Sequence, residues 1–256
     1  MPPTELQRVE LFHLSVLRQL CSGPDKAHIA LKGGCNLRFF FGSVRYSEDL
    51  DLEVDPKLES HVVRDKFNRL LAGPALAAAL GSAGMQVERV SAPKQTDTTQ
   101  RWKVGLTVRG QPGTGLHTKV EFSRRPTGEE AVLESVSSDV LSVHQLLPLL
   151  VRHYPLDGAL RQKVGALVGR STVQARDVFD LAVLFSRAGE RATAALRPLA
   201  ASIPKAIERA MDVSFADFQG QVIAFLDPAH SPMYASRDAW NALQTQVVEA
   251  LQKGAT

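Results

Sequence analysis

The stretch that decides the fold is residues 32–52, which read KGGCNLRFFFGSVRYSEDLDL. A glycine pair opens a short apolar run, and a strand-like segment follows from Asp49 to Leu52. Side chains two apart in a strand share a face, so the carboxylates of Asp49 and Asp51 should project side by side. Carboxylates held that close repel each other unless a cation lies between them, and Mg²⁺ prefers such oxygen ligands. The stretch therefore predicts a magnesium site beside a glycine turn that can approach a triphosphate.

The order of these residues resembles a known signature. A glycine pair followed further along by Asp-x-Asp is similar to the signature of polymerase-β-like nucleotidyltransferases. The segments KGG at 32–34, LR at 37–38 and RYSEDLD at 45–51 further resemble the AbiEii/AbiGii family, to which the MenT toxins belong. These are nucleotidyltransferase toxins of bacterial abortive-infection and toxin–antitoxin loci. The resemblance implies that nucleotide phosphates are bound by residues of this stretch, namely Lys32, Gly33, Gly34, Arg45 and Ser47.

Three residues of the stretch have two interpretations each. The Ser47 hydroxyl either donates to a phosphate oxygen or satisfies backbone groups in a turn. Arg45 either neutralises phosphate or pairs with Glu48. Cys35 stands where relatives often carry Ser or Thr, and its thiol, a poorer donor, either contacts phosphate or packs beneath the loop.

A third acid lies in the later strand-like segment TKVEFS at residues 118–123. Glu121 shares a strand face with Lys119, while apolar residues occupy the other face. The family that the chain resembles has an acid in a lysine-hydrophobe-acid strand at the corresponding place. The resemblance therefore implies that Glu121 joins Asp49 and Asp51 as ligands of two Mg²⁺ ions, the arrangement that nucleotidyl transfer from an NTP uses. The alternative is a solvated strand charge.

The second half of the chain carries a helical motif within residues 161–181, RQKVGAL followed by RDVFDL. It resembles the family's downstream motif, a helical lysine and then Arg-Asp-hydrophobe-hydrophobe-Asp-Leu. The resemblance implies that Lys163 is a point charge on the β- or γ-phosphate and that Arg176 contacts phosphate or pairs with a carboxylate. Asp177 and Asp180 are three apart on one helix face, so one of them should orient a basic side chain; Asp177 is counted among the catalytic residues. The alternative is a surface salt-bridge network.

Composition sets broad limits. The 256 residues are 44% hydrophobic and 22% charged, enough for one large domain or two ordinary ones with a buried core. The net charge of +3 permits a nucleotide or RNA partner without requiring one. The two cysteines show neither metal spacing nor a disulfide framework, which favours a reducing cytoplasm. No signal segment and no apolar run long enough for a membrane span are present, so we expect a cytoplasmic protein.

Hydrophobic periodicity predicts an α+β fold in two lobes. Residues 1–138 should form a polymerase-β-like nucleotidyltransferase lobe, a mixed sheet flanked by helices. Residues 139–256 should form an all-helical lobe that contributes phosphate- and substrate-binding residues. Residues 37–41 should form a short helix after the glycine turn, and residues 141–151 have helical periodicity. Residues 91–100 should be a loop or hairpin connection.

The resemblance also implies a function. It predicts a toxin that moves a nucleoside monophosphate from an NTP to an RNA acceptor, with the 3′ end of tRNA as the expected acceptor, and so blocks translation. A cognate antitoxin protein should be its partner. The alternatives are an enzyme that transfers AMP to a protein hydroxyl and a non-catalytic nucleotide or RNA binder.

The middle of the chain is its most basic part. These basic residues would form a track for an RNA backbone if they line a cleft, or they are solvated charged faces. They are Lys119, Arg124, Arg125, Arg152, His153, Arg161 and Arg170.

Overall fold

The computed structural model describes residues 3–110, 115–124 and 128–254. By its contacts the chain divides into two compact units, Met1–Cys35 with Ser47–His153, and Asn36–Tyr46 with Tyr154–Thr256. The predicted division into a catalytic lobe at 1–138 and a helical lobe at 139–256 stays a prediction. The contact-based division differs from them because the segment up to His153 pairs into the sheet, whereas Asn36–Tyr46 groups with helices.

The first unit is built on one mixed sheet. Within the described ranges its strands are β1 (Ile29–Lys32), β2 (Asp49–Val54), β3 (Met85–Gln95), β4 (Thr99–Val108), β5 (Leu116–Ser123), β6 (Val132–Ser135) and β7 (Leu150–His153). Their order across the sheet is β3-β4-β5-β2-β1-β7-β6. The pairs β2/β5 and β1/β7 are parallel and the other neighbours are antiparallel.

The sheet separates charge from apolar surface because its strands alternate. On β2 the apolar residues Leu50 and Leu52 are fully buried, while the acids between them are only partly buried. On β5, Val120 and Phe122 are buried in the same way. Period-2 alternation therefore leaves one face apolar and the other charged.

Helices cover the apolar face. The first unit has α1 (Glu5–Leu20), the start of α2 (Gly33–Phe40), α3 (Ser60–Leu71), α4 (Pro74–Ser82) and α5 (Ser138–Val143). The ring of Phe67 on α3 packs edge-on against Trp102 and Phe122 of the sheet, with centroids 4.8 and 5.1 Å apart. Helix α3 therefore lies on the face opposite the acids.

The second unit is helical, with a core of its own. Its helices are α6 (Leu156–Gly169), α7 (Ala175–Ala188), α8 (Arg191–Leu196), α9 (Ile203–Met211), α10 (Phe215–Gln221) and α11 (Arg237–Gly254). Trp240 stacks on Phe218 at 4.4 Å inside this core, and Leu37 packs into it from the preceding segment. In the part of the chain that the structure describes, no helix is long and apolar enough to cross a membrane.

The structure confirms the α+β fold and corrects three local predictions. Residues 141–151 are not one helix, because α5 ends at Val143 and Leu150–His153 is a strand between β1 and β6. A four-residue strand is too short for periodicity to reveal, and its sheet partners specify it. Strand β3 runs to Gln95, so the predicted connection is a tight hairpin. Helix α2 begins at Gly33 itself rather than at Leu37.

Candidate active site

The structure brings the three predicted acids onto one face of the sheet. In the parallel pair of β2 and β5, Asp51 lies opposite Glu121 and Asp49 lies opposite Lys119. Neighbouring strands are roughly 4.8 Å apart, so these side chains project from adjacent positions. The two-residue spacing on β2 and the register with β5 together make an acidic patch.

Asp51 is the most crowded of these acids. Desolvation raises the pKa of the Asp51 carboxyl above its usual value, and the charges of Asp49 and Glu121 raise it further. Lys119 and Lys32 offset only part of this effect. A cation at this carboxyl would relieve the repulsion that raises its pKa.

Internal cations hold the other two acids. Lys119 Nζ lies 2.6 Å from Asp49 Oδ2, and Arg101 Nη2 lies 2.6 Å from Glu121 Oε2. Within the described ranges, no group of three or more His, Cys, Asp or Glu side chains is placed to hold a metal ion as it stands. Hard carboxylate oxygens and a crowded Asp51 suit Mg²⁺, which needs only one or two protein carboxylates. Binding through all three acids would require the ion pairs of Asp49 and Glu121 to open.

Gly33 is placed where no other residue fits. Its φ of +71° lies in the left-handed region, and a Cβ there would stand 2.6 Å from Asp51 Oδ2. Gly34 is buried in the first turn of α2, where backbone N–H groups lack helical partners. Lys32, the residue before the turn, places Nζ 3.4 Å from Glu53 Oε2. The glycine turn thus lies next to Asp51, with room for no side chain between them.

A buried layer that the sequence did not reveal holds the start of β2. The Thr118 hydroxyl donates to the Glu48 carbonyl at 2.7 Å, so its oxygen accepts from His13 Nε2, also at 2.7 Å. Cys35 Sγ donates to the Asp49 carbonyl at 3.3 Å. Cys35 is therefore packed beneath the turn, the second of its two interpretations, and burial raises the pKa of its thiol well above the usual value.

Ser47 belongs to the same layer. Its hydroxyl donates to the Asp49 carbonyl at 2.8 Å, as a turn serine does.

Burial lowers the pKa of His13 to about 3, so this imidazole is neutral at physiological pH. No sequence pattern links residues 13, 35 and 118, because they meet only through the fold.

The motif of the second half forms a buried ion network in the second unit. Lys163 Nζ lies 2.6 Å from Asp180 Oδ2 and 3.4 Å from Asp177 Oδ1. Arg45 binds both oxygens of Asp180 at 3.0 Å, and Arg170 Nε lies 2.6 Å from Asp177 Oδ2. Burial alone would raise the pKa of Asp180, but Arg45 and Lys163 outweigh it and hold that pKa below its usual value.

The comparisons with known proteins decide the family. A family model described as nucleotidyl transferase AbiEii toxin, type IV toxin–antitoxin system, matches residues 15–253. The chain belongs to this family. Among solved structures, it is similar to MenT4, a nucleotidyltransferase toxin of Mycobacterium tuberculosis, with a TM-score of 0.68 and 20% identity over 98% of this chain and 86% of that one. It is also similar to JHP933 of Helicobacter pylori, with a TM-score of 0.54 and 16% identity over 99% of this chain and 96% of that one.

These structural likenesses show the fold, a nucleotidyltransferase α+β architecture. No curated protein is a significant match. The chain is therefore a member of a family of nucleotidyltransferase toxins.

In this AbiEii-family chain, Arg45 has a different partner from the one expected. It pairs with Asp180 rather than Glu48, and its side chain is only 4% exposed. The predicted phosphate contact by Arg45 stays untested, and the buried pair favours a positioning role. Asp177 is likewise fully buried between Lys163 and Arg170, which also favours positioning.

The helical motif is therefore not a surface network. The buried side chains of Arg45 and Lys163 and the exposed side chain of Arg170 share two buried carboxylates, which leaves an excess of positive charge. Arg176, on α7, is partly exposed. The predicted phosphate contacts of Lys163 and Arg176 stay predictions.

The predicted RNA track is not one surface of the first unit. His153 is fully buried, and Arg124 donates to the Leu58 carbonyl at 3.2 Å. Lys119 is paired with Asp49. Arg125 lies outside the described residues.

Proposed function

We propose that the chain is a toxin enzyme that transfers a nucleoside monophosphate from an NTP to an RNA acceptor, with the 3′ end of tRNA as the acceptor, and thereby blocks translation. The observation that carries this proposal is the strand register that puts Asp49, Asp51 and Glu121 on one sheet face, with Gly33 so close to Asp51 that a Cβ would collide with it. Membership of the AbiEii family supports the class of reaction.

Each group has a role in this proposal. Asp49 and Asp51, with Glu121, would hold Mg²⁺, which when bound supplies Lewis acidity and lowers the pKa of a hydroxyl. The glycine turn leaves room for the triphosphate, because no Cβ stands over Asp51. The acceptor hydroxyl oxygen forms a bond to the α-phosphorus and its proton passes to solvent, while the bond from the α-phosphorus to the bridging oxygen breaks and pyrophosphate leaves.

The positive network around Lys163 would neutralise the charge that develops on this leaving group. Asp180 and Asp177 hold Lys163 in place from within the second unit. Arg176 is proposed as a further phosphate contact.

The family's description as a type IV toxin–antitoxin system supports a cognate antitoxin as partner. NTPs and tRNA as substrates would make the cytoplasm the site of action.

Incubation of the purified full chain with Mg²⁺ and each α-³²P-labelled NTP, together with total tRNA or total protein, tests the proposal. We expect label on RNA, and none when the NTP carries ³²P only at the γ position, because the γ-phosphate leaves with pyrophosphate. The Asp51→Asn variant should lose the labelling, and Asp212→Asn, at an exposed position, should keep it. Label on protein alone would favour the AMP-transfer alternative, and no label at all would favour a non-catalytic binder.

A further inference from the structure

A cavity of about 500 Å³ opens beside the acidic patch, within the size range of ligand sites. Asp49 is at its edge, and the rest of the cavity extends over the strands that lie beyond β5. Its other lining residues are Glu48, two residues of β3 and three each of β4 and β5: Arg89, Ser91, Lys103, Val104, Gly105, His117, Thr118 and Lys119.

Three cations, Arg89, Lys103 and Lys119, outnumber the two acids, Glu48 and Asp49, that line the cavity, and two of the cations are unmatched. Arg89 and Lys103 are exposed, and within residues 3–110, 115–124 and 128–254 no carboxylate pairs with either of them. Lys103 lies directly opposite Lys119, whose own partner is Asp49. Like charges directly opposite on neighbouring strands destabilise a sheet, so an anion bound here would relieve an unfavourable arrangement.

Gly105 opens the floor of the cavity. It lies opposite Arg89 on one side and His117 on the other. A Cβ at this position would stand 3.6 Å from Arg89 Cβ and 3.7 Å from His117 Nδ1, at ordinary van der Waals distance. The absence of a side chain at Gly105 thus leaves space between Arg89 and His117. The backbone conformation at this position does not require glycine.

The order of the strands places the proposed sites for the NTP and for the acceptor RNA on opposite sides of the acids. The acids on β2 and β5 are central, the glycine turn follows β1 on one side, and the cavity extends over β5, β4 and β3 on the other. In displacement at phosphorus, the attacking and leaving oxygens lie roughly in line on opposite sides. If the triphosphate binds at the glycine turn, the acceptor must therefore approach from the cavity.

We propose that this cavity binds the phosphodiester backbone of the acceptor RNA next to its reacting 3′ hydroxyl. The inference rests on the proposed function and assigns the acceptor side of the same site. Arg89 and Lys103 supply the phosphate contacts, and the space over Gly105 receives the RNA strand.

Salt-dependent RNA binding tests this assignment. The Arg89→Gln/Lys103→Gln double variant and the wild-type chain are titrated into a fluorescein-labelled single-stranded RNA dodecamer at several KCl concentrations. Each lost phosphate contact removes about 0.7 from the slope of log K against log salt, so the slope should fall by about 1.4 and affinity by about 20-fold near 0.1 M salt. Binding of the mant derivative of the NTP that labels RNA best should be unchanged.

Two further variants sharpen the test. Arg64→Gln/Arg69→Gln removes the same charge from exposed positions on α3, on the opposite face of the sheet, and should leave RNA binding unchanged. Gly105→Val fills the cavity floor without changing charge, so it should weaken RNA binding while the salt slope stays constant. Circular dichroism and thermal unfolding confirm that each variant is folded.

The outcomes separate the two proposals. If wild type labels RNA but the Arg89/Lys103 variant binds RNA with an unchanged salt slope, the acceptor assignment is overturned and the proposed function stands. If that variant loses mant-NTP binding and keeps RNA binding, the cavity is a triphosphate site and the assignment is wrong. If wild type labels no RNA, the proposed function falls and the assignment falls with it.

Discussion

At Asp51, desolvation and two neighbouring acids all act against the charged form of one side chain. Replacing it by Asn should therefore leave stability unchanged or raise it, because the repulsion with Asp49 and Glu121 is removed. The rate of transfer to RNA should fall by at least ~100-fold. Loss of a residue that only hydrogen-bonds to a metal ligand already lowers activity by up to about 100-fold, and Asp51 is proposed as a ligand itself. Urea unfolding and the labelling rate measure the two effects. An Asp51→Asn protein that is less stable yet fully active would contradict this account.

Gly33 gives a second prediction at this scale. Gly33→Ala forces a positive φ on a residue with a side chain and drives its Cβ into the Asp51 carboxylate. We expect a loss of about 1–3 kcal/mol in the free energy of unfolding, together with weaker transfer. Gly81→Ala is the matched control, because nothing lies within 4 Å of its Cβ position and its φ is not positive. Equal effects at both positions would show that Gly33 has no special role.

At the residue scale, the sequence predicted the acids and the glycine but not their partners. Asp49 and Asp51 are two apart in the chain, so their shared face could be read from strand geometry. Arg101, which pairs with Glu121, comes from the next strand, and its register cannot be derived without the fold. Ion-pair partners are set by register rather than by local pattern.

Among the elements, the paired helices α6 and α7 carry a buried network whose loss should be costly. Asp180→Asn leaves Arg45 and Lys163 buried with less negative charge, and breaking a buried pair costs about 3–5 kcal/mol. We expect that loss in urea unfolding, with Asp212→Asn as the exposed control. Because the folded pKa of Asp180 lies below 3.8, its stabilisation is present above that pH and is lost as pH falls through the folded pKa. A loss below about 1 kcal/mol would mean that the network contributes little.

Helix α1 gives a pH-dependent prediction through His13. The folded pKa of His13 is about 3 and the usual value is 6.5, so between these values only the unfolded chain takes up this proton. Stability should therefore fall as pH drops below 6.5, by up to about 1.4 kcal/mol per pH unit from this group. His13→Asn should reduce that slope between about pH 6 and pH 4, while the exposed His61→Gln should not. Identical slopes in wild type and His13→Asn would contradict the buried neutral imidazole.

Helices and strands with a clear hydrophobic periodicity could be predicted from the sequence. Strands that depend on hydrogen bonding to neighbouring strands could not. The alternation in β5 marks Leu116–Ser123 as a strand from sequence alone. The short strands β6 and β7 carry too few residues for a period, and hydrogen bonding to β1 and to each other specifies them.

Across the whole molecule, the family assignment and the geometry of the acids are independent support for the proposed nucleotidyl transfer. The family model spans residues 15–253, so it covers parts of both units. Two members of the predicted basic track have roles in the fold of the first unit, His153 by burial and Arg124 by donating to a loop carbonyl, and the track itself stays a prediction. Arg89 and Lys103, the two cations of the cavity that no carboxylate of the described residues pairs with, lie on β3 and β4, outside the stretches on which the resemblance rests.

We propose that Asp49, Asp51 and Glu121 hold the metal during transfer. Anomalous scattering from Mn²⁺, in crystals of the full chain grown with a nonhydrolysable NTP analogue, tests it most directly. We predict manganese bonded to the carboxylates of Asp49 and Asp51, with Glu121 turned from Arg101 towards the metal. Manganese bound elsewhere, with Asp49 still paired to Lys119 and Glu121 to Arg101, would contradict the claim.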